Sequence, residues 1–307
     1  MGKLIKFSSL FFKNAGVLAL ARCISVGVAG FGNVGRALVK LLLERSENLG
    51  LGSRVRIVFV ANSRGAIVCP QGLPLRILAR ALEAPRGGLA RIEDYGRWGL
   101  TVDELIDTID LDVLIDVTPS IYRSDAPQLR WHEAVLSRGG SVVTANKAPL
   151  ALRCSCYLSR SWARRLYYKA TVMAGTPLID VLRYGMKGRY VKLVRGILNG
   201  TTNYILGLLE KGMNFVDAVK KAQKEGIAEP DPRTDLEGLD LAAKATIVSC
   251  TLGHFISLND VVIEQSIEPG IEEMVREAHR RGYRTKYLAV VSKSEAKVRL
   301  EYLEPSD

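Results

Sequence analysis

A carboxylate and an amine four positions apart, Asp240 and Lys244, are the residues best suited to proton chemistry in this chain. That spacing puts both on one face of a helix. Leu239, Leu241, Ala242, Ala243, Ala245, Ile247 and Val248 make the same helix apolar almost all round, and charges on a buried helix require a partner or a purpose. An ordinary ion pair of roughly 0.3–0.5 kcal/mol is the simpler alternative. A second amine, Lys147, follows Thr144, Ala145 and Asn146 at the end of a short β-branched run, where open α/β sheets bind ligands. Upstream of the Asp240 helix, the segment from Glu229 to Asp235 is a charged loop stiffened by Pro230 and Pro232. The turn from Gly196 to Asn203, with Gly200 and Thr201, offers N–H groups and hydroxyls at a helix start, a seat for a carboxylate. A plain N-cap by Thr201 or Thr202 is the other reading of that turn. An anion seat, two lysines and several carboxylates together suit a small amino acid as ligand.

Gly30, Phe31, Gly32, Asn33, Val34 and Gly35 form the pattern GxGxxG after a predicted strand and ahead of a predicted helix. The first glycine permits the tight turn, the second lets backbone N–H groups approach a pyrophosphate, and the third lets helix pack on strand. The segment therefore predicts a dinucleotide site. An acid ordinarily ends the next strand and binds the ribose hydroxyls of NAD. Here Asn62 and Arg64 stand in that neighbourhood; Asn62 does not repel a 2′-phosphate and Arg64 can pair with one, so NADP is expected ahead of NAD. The alternative for Arg64 is a solvated turn residue. His132, His254 and His279 show no metal-ligand or triad spacing, which leaves acid–base work to other side chains.

To position these groups, the sequence predicts strands at 25–29, 55–61, 113–117 and 141–144, with helices at 34–47, 75–82, 131–138 and 150–165 and a strand at 166–169. Short apolar strands separated by helices indicate a doubly wound parallel sheet of Rossmann type covered on both faces. Beyond residue 170 the predicted elements are a strand at 191–198, helices at 201–210, 215–225, 236–250 and 271–281, and a strand at 286–291. They do not repeat as βαβ units and read as an α+β domain. The expected organisation is an extension at 1–24, a dinucleotide-binding domain at 25–170 and a second α+β domain at 171–307. No role is assigned to the stretch 69–99.

With 307 residues, 48% of them hydrophobic, the chain is neither disordered nor collagen-like. The formal charge of +11 comes from 43 basic and 32 acidic side chains that are interspersed, without an aromatic-basic motif, which points to anionic small ligands and not to nucleic acid. Residues Lys3 to Ala21 imitate a signal peptide, but a strand and nucleotide loop begin almost at once afterwards, so an extension or a misassigned start is the expected reading. The apolar run Ala15 to Ala21 is too short for the roughly 18 residues of a membrane span. Five scattered cysteines without a CxxC fit reduced thiols in a cytoplasmic protein.

From about Ser25 to about Leu303, the segments VAGFGNVGRAL, DVTPS, VVTANKAPLA, ATVMAGTPLI, GILNGTTNYIL and AEPDPRTDLEGLDLAAKATI occur in the order found in homoserine dehydrogenases, and the chain resembles that family. The resemblance implies reversible NAD(P)H-linked reduction of aspartate 4-semialdehyde to homoserine, on the aspartate route to threonine and methionine. It implies Lys147 and Lys244 as catalytic lysines, with Asp240 orienting Lys244. Glu229 and Asp235 become substrate-binding acids, Gly200 and Thr201 lie at the substrate carboxylate, and Thr118 and Pro119 lie beside the nicotinamide. A sodium ion is implied on the main-chain carbonyls of Val172, Ala174 and Thr176, although Lys169 stands where the family commonly has glutamate. A homodimer through the second domain is implied as well.

Two departures accompany the resemblance. Ile227 occupies a position where many relatives have tyrosine, and the family pattern continues past Asp307 into a glycine-rich segment and a final helix, so the chain reads as truncated at its C-terminus. The competing readings are an inactive dinucleotide-binding remnant and another NAD(P)-dependent oxidoreductase on a related scaffold. A DNA-binding role would rest on charge alone.

Overall fold

The computed structural model describes residues 23–158 and 161–306, so the signal-like stretch lies outside the described residues. The first sheet comprises β1 (Ile24–Ala29), β2 (Val55–Asn62), β3 (Gly65–Val68), β4 (Gly96–Trp98), β5 (Val113–Asp116), β6 (Ser141–Thr144) and β7 (Leu166–Tyr167). Its spatial order is β4-β3-β2-β1-β5-β6-β7. The five strands from β2 to β7 in that order run parallel, as their apolar, β-branched composition requires of strands buried on both faces. Ala29 lies opposite both Ala61 and Asp116, and Asp116 opposite Thr144. The carboxyl ends of β1, β2, β5 and β6 therefore stop on one line, and the chain leaves that line through Gly30, Asn62, Thr118 and Lys147.

The unassigned stretch 69–99 supplies part of an addition to this sheet. β3 and β4 pair antiparallel to their neighbours, so the sheet is not parallel throughout as expected. Both strands are short and glycine-containing and carry no alternation of their own; only the edge of β2 makes them strands. A helix at Val102–Thr108, also unexpected, begins with a capping box in which Thr101 and Glu104 satisfy each other's backbone N–H groups. Three predicted helices are interrupted. The first ends at Glu44, the segment expected at 150–165 is helical over Ala148–Leu158 with a non-helical Arg153, and the segment expected from 236 restarts at Leu239 after Gly238.

The second sheet has the order β8-β10-β11-β9, from β8 (Leu193–Gly196), β9 (Val262–Ile263), β10 (Arg284–Ser292) and β11 (Ala296–Leu303). One apolar core lies between β1, β2 and the helix Leu75–Glu83, around Val28, Ile57, Val60, Ile77 and Leu78. A second core is continuous from the other side of the first sheet to the second sheet, from Leu114 and Leu150 through Leu241 and Ile247 to Tyr287 and Val298. The helix Leu239–Thr251 sits in the middle of that core, which explains why it is apolar on all sides.

Where this helix packs on Ala148–Leu158, Cys154 and Cys250 form a disulfide across a Cα–Cα distance of 6.1 Å. The expectation of five reduced thiols is corrected for these two; Cys23, Cys69 and Cys156 are free. The partners are 96 residues apart, and only helix packing brings them together. Among the described residues no helix is long and apolar enough to cross a membrane.

Candidate active site

The glycine loop connects β1 to the helix Asn33–Glu44, and each glycine meets a different physical demand. Gly30 has φ +101°, and a Cβ there would lie 2.7 Å from the carbonyl of Val117. A Cβ on Gly35 would lie 2.1 Å from the Gly30 oxygen, so helix and loop touch through backbone. No described residue comes within 4 Å of a Cβ on Gly32, which leaves that position open to a ligand. Phe31 is buried under the Arg36 guanidinium, 4.8 Å from its ring centre, while Val34 is exposed in the first helical turn. Asn33 opens the helix and accepts a hydrogen bond from Arg86 (2.8 Å).

Asn62 ends β2 and turns the chain by accepting from the Arg64 backbone N–H (2.8 Å). The Arg64 side chain is exposed and lies along the backbone of Gly87, beside Arg86. Arg86 thus touches the glycine loop at Asn33, with Arg64 against the neighbouring Gly87. Arg86 was not foreseen, because it lies 53 residues from Asn33 in a segment without a periodic pattern.

Lys147, just beyond β6, and Lys244, on the helix Leu239–Thr251, meet at one carboxylate. Asp240 lies in the first turn of the helix Leu239–Thr251; its Oδ2 is 2.6 Å from Lys244 Nζ and its Oδ1 is 3.4 Å from Lys147 Nζ. Lys244 also donates to the carbonyl of Leu198 (2.7 Å), so its ammonium is held at two points. The four-residue spacing is therefore more than a solvated ion pair. Burial pushes the Asp240 acid up, but the Lys244 and Lys147 charges and a hydrogen bond from Asn199 outweigh it and hold the group below the usual aspartate range.

Asn199 is the organising residue that the sequence reading overlooked. Its Nδ2 donates to Asp235 (2.7 Å) and to Asp240 (2.8 Å), while its Oδ1 accepts from the Thr202 N–H (2.8 Å) and so caps the helix Gly200–Glu210. The cap is thus Asn199 and not Thr201 or Thr202, and an Asn ahead of Gly200 was the available signal. Burial drives the Asp235 acid upward; the Asn199 bond opposes this and the neighbouring Asp240 charge adds to it. Thr201 spends its hydroxyl on the carbonyl of Ile227 (3.1 Å), which leaves its backbone N–H and that of Gly200 as the donors of the first helical turn.

These groups line one cleft of about 560 Å³, bounded by Lys147, Lys244, Asp240, Asp235, Glu229 and Gly200, among others. Glu229 is exposed at its rim with Ile227 next to Thr201; Asn203 and Tyr204 complete the wall. Asn203 accepts from Lys286 (2.9 Å) and Tyr204 bonds Glu225.

Thr118 and Pro119 form a turn at the end of β5, between the glycine loop and the cleft. The Thr118 hydroxyl donates to Asp116 (2.6 Å), and Asn146 donates to the Thr118 hydroxyl (3.1 Å) and the Pro119 carbonyl (3.2 Å). Val172, Ala174 and Thr176 lie apart from these residues, on a turn in which Met173 and Ala174 take positive φ. The Thr176 carbonyl accepts from Leu178 N–H (2.9 Å), and no described hydrogen bond ends on the carbonyls of Val172 or Ala174. Lys169 pairs with Asp180 at 2.7 Å.

Comparison with known proteins shows which family this chain is similar to. Residues 177–307 match the homoserine dehydrogenase family model. A homoserine dehydrogenase of Sulfurisphaera tokodaii is 35% identical over 76% of this chain and 71% of its own length. An NAD(+)-dependent homoserine dehydrogenase of Pseudomonas canavaninivorans is 34% identical over 77% of this chain and 68% of its own. A solved hyperthermophilic archaeal homoserine dehydrogenase in complex with NADPH superimposes with a TM-score of 0.74 at 28% identity, covering 93% of this chain and 84% of that one.

Proposed function

The chain belongs to the homoserine dehydrogenase family, and on that premise we propose that its cleft interconverts L-aspartate 4-semialdehyde and L-homoserine with NADP preferred over NAD. The observation that carries the assignment of roles is the placement of Asp240 between Lys147 and Lys244 inside the cleft.

Bound nicotinamide would supply or accept the hydride. The glycine loop seats the dinucleotide through the open face at Gly32, with Phe31, Asn33 and Val34 shaping the approach and Gly30 and Gly35 closing the turn. Thr118 and Pro119 face the reacting end. Asp235 and Glu229 hold the substrate ammonium, and the backbone N–H groups of Gly200 and Thr201 hold its carboxylate at the start of a helix. Lys244, fixed by Asp240 and the Leu198 carbonyl, hydrogen-bonds the aldehyde oxygen and delivers a proton as the alcohol forms; Lys147 adds a second positive charge near the developing alkoxide.

The preference for NADP rests on Asn62 in place of a carboxylate and on Arg64, with Arg86 beside it, as partners for a 2′-phosphate. The archaeal structure with NADPH supports it and the NAD(+)-dependent relative opposes it. We further propose a functional division near residue 170 and a homodimer through the second domain, supported by exposed Leu193, Val262 and Tyr302 on its sheet. A sodium ion on Val172, Ala174 and Thr176 is supported by two carbonyls on which no described hydrogen bond ends and opposed by Lys169; no step is routed through it. A cytoplasmic location belongs to the same reading, and the Cys154–Cys250 bond speaks against a reducing compartment.

The test is homoserine-dependent reduction of NADP and, separately, NAD by the purified chain. Turnover with homoserine, faster with NADP, is expected. Turnover with another hydroxy acid but not homoserine overturns the substrate assignment, and equal rates with both cofactors overturn the preference.

A further inference from the structure

Beneath the turn that carries Thr118 lies a carboxylate with no exposure at all, Asp116, at the last residue of β5. One of its oxygens accepts from the Thr118 N–H (3.0 Å) and hydroxyl (2.6 Å); the other lies 2.9 Å from Nε2 of His132, which is itself fully buried. A carboxylate so far from water is costly unless each oxygen is answered by a donor. His132 is the group that answers the second oxygen, with its Nε2–H donated to Asp116; its Nδ1 has no hydrogen-bond partner among the described residues.

The network continues from this pair toward the reacting groups. Asn146 ties the Thr118 hydroxyl and the Pro119 carbonyl, and so does Gln128, at 3.2 and 3.4 Å respectively. Asn146 directly precedes Lys147, whose backbone N–H donates to the Ser120 hydroxyl (3.0 Å). Two turns from adjacent strands are thereby locked together by side chains that never reach the cleft.

We propose that Asp116 and His132 form a buried positioning pair that fixes the Thr118–Ser120 turn and, through Asn146 and Ser120, the backbone at Lys147. The inference rests on the functional reading above, since the turn matters only if it faces the nicotinamide and Lys147 faces the substrate. His132 touches neither; it acts by holding the Asp116 carboxylate in place. Without its N–H, one buried Asp116 oxygen loses its donor, and the carboxylate is free to turn away from the Thr118 hydroxyl.

Two substitutions in the full chain separate positioning from space filling. Leucine fills much of the imidazole volume without a donor, whereas glutamine carries an amide N–H that can reach the carboxylate. His132→Leu is expected to lower kcat about 10–100-fold, the range for loss of a supporting partner behind a reacting group, with KM for homoserine changed less than about twofold. His132→Gln is expected to regain most of that loss, and both variants are expected to bind NADPH as the unsubstituted chain does in a fluorescence titration. Wild-type turnover in His132→Leu overturns the proposal, and so does a His132→Gln no faster than His132→Leu. Should His132→Leu fail to fold, Asp116→Asn carries the test: lowered kcat at unchanged KM supports the pair, and unaltered kcat overturns it. An unsubstituted chain that oxidises no homoserine overturns the functional reading itself, a result distinct from any of these.

Discussion

The glycine loop and the Asp240 cleft are built on opposite principles. The loop is shaped by backbone that has no room for a side chain: Gly35 touches the Gly30 oxygen, and Gly30 touches the carbonyl of Val117. The cleft is shaped by charge, with two ammonium groups and an amide converging on Asp240 and a second acid, Asp235, sharing the same amide. Steric specification tolerates no added atom but is indifferent to pH. Electrostatic specification tolerates changes of shape but depends on every protonation state around it. The two ends of one site are therefore expected to fail in different ways.

The largest separation of the two should come from Lys244→Ala. Turnover should fall on the order of 10²–10⁴-fold, as for a lost general acid, with little change in NADPH affinity. Undiminished turnover would remove Lys244 from the chemistry. Gly35→Ala should show the converse pattern. Because the added methyl meets backbone at 2.1 Å, helix and loop must separate, costing about 1–3 kcal/mol of stability and much of the dinucleotide affinity. Thermal melts and NADPH titration would measure this, and a variant with unchanged affinity would show that the loop adapts.

Asn199→Ala sharpens the electrostatic half. In the folded chain Asp235 binds its proton more tightly than an ordinary aspartate, and Asn199 limits that shift. Removing the amide should move the acidic limb of kcat/KM for homoserine to higher pH, and an unmoved limb would exclude Asp235 as an ammonium partner. Stability responds to Asp240 in the opposite sense. Its lowered pKa stabilises the fold above the ordinary aspartate value, a contribution lost as pH falls through the lowered folded value. The smallest effect is expected from Arg64→Ala, which should weaken NADPH more than NADH while Arg86 remains; equal weakening would deny Arg64 a phosphate role.

How much of this was legible in the sequence follows the same division. The glycine loop, Lys147 after β6 and the Asp240–Lys244 spacing were readable because each is a local pattern with a local cause. Residues whose role depends on a distant neighbour were not. Arg86 meets Asn33 only after the chain has crossed β3, and β3 and β4 exist as strands only because β2 offers an edge. His132, whose spacing fits neither a metal site nor a triad, sits in a helix whose composition does not reveal that Asp116 faces it. Some signals were present and unused: Thr101 and Glu104 announce a helix start, and Asn199 announces a cap.

The Cys154–Cys250 bond closes a covalent ring that contains Asn199, Glu229, Asp235, Asp240 and Lys244 and leaves Lys147 outside by seven residues. A protease that cuts the exposed stretch 187–190 would open the ring without releasing a piece. The nicked protein should run as one band on a non-reducing gel and as two after reduction, so the thiol state of the preparation can be read from a digest before any activity is measured.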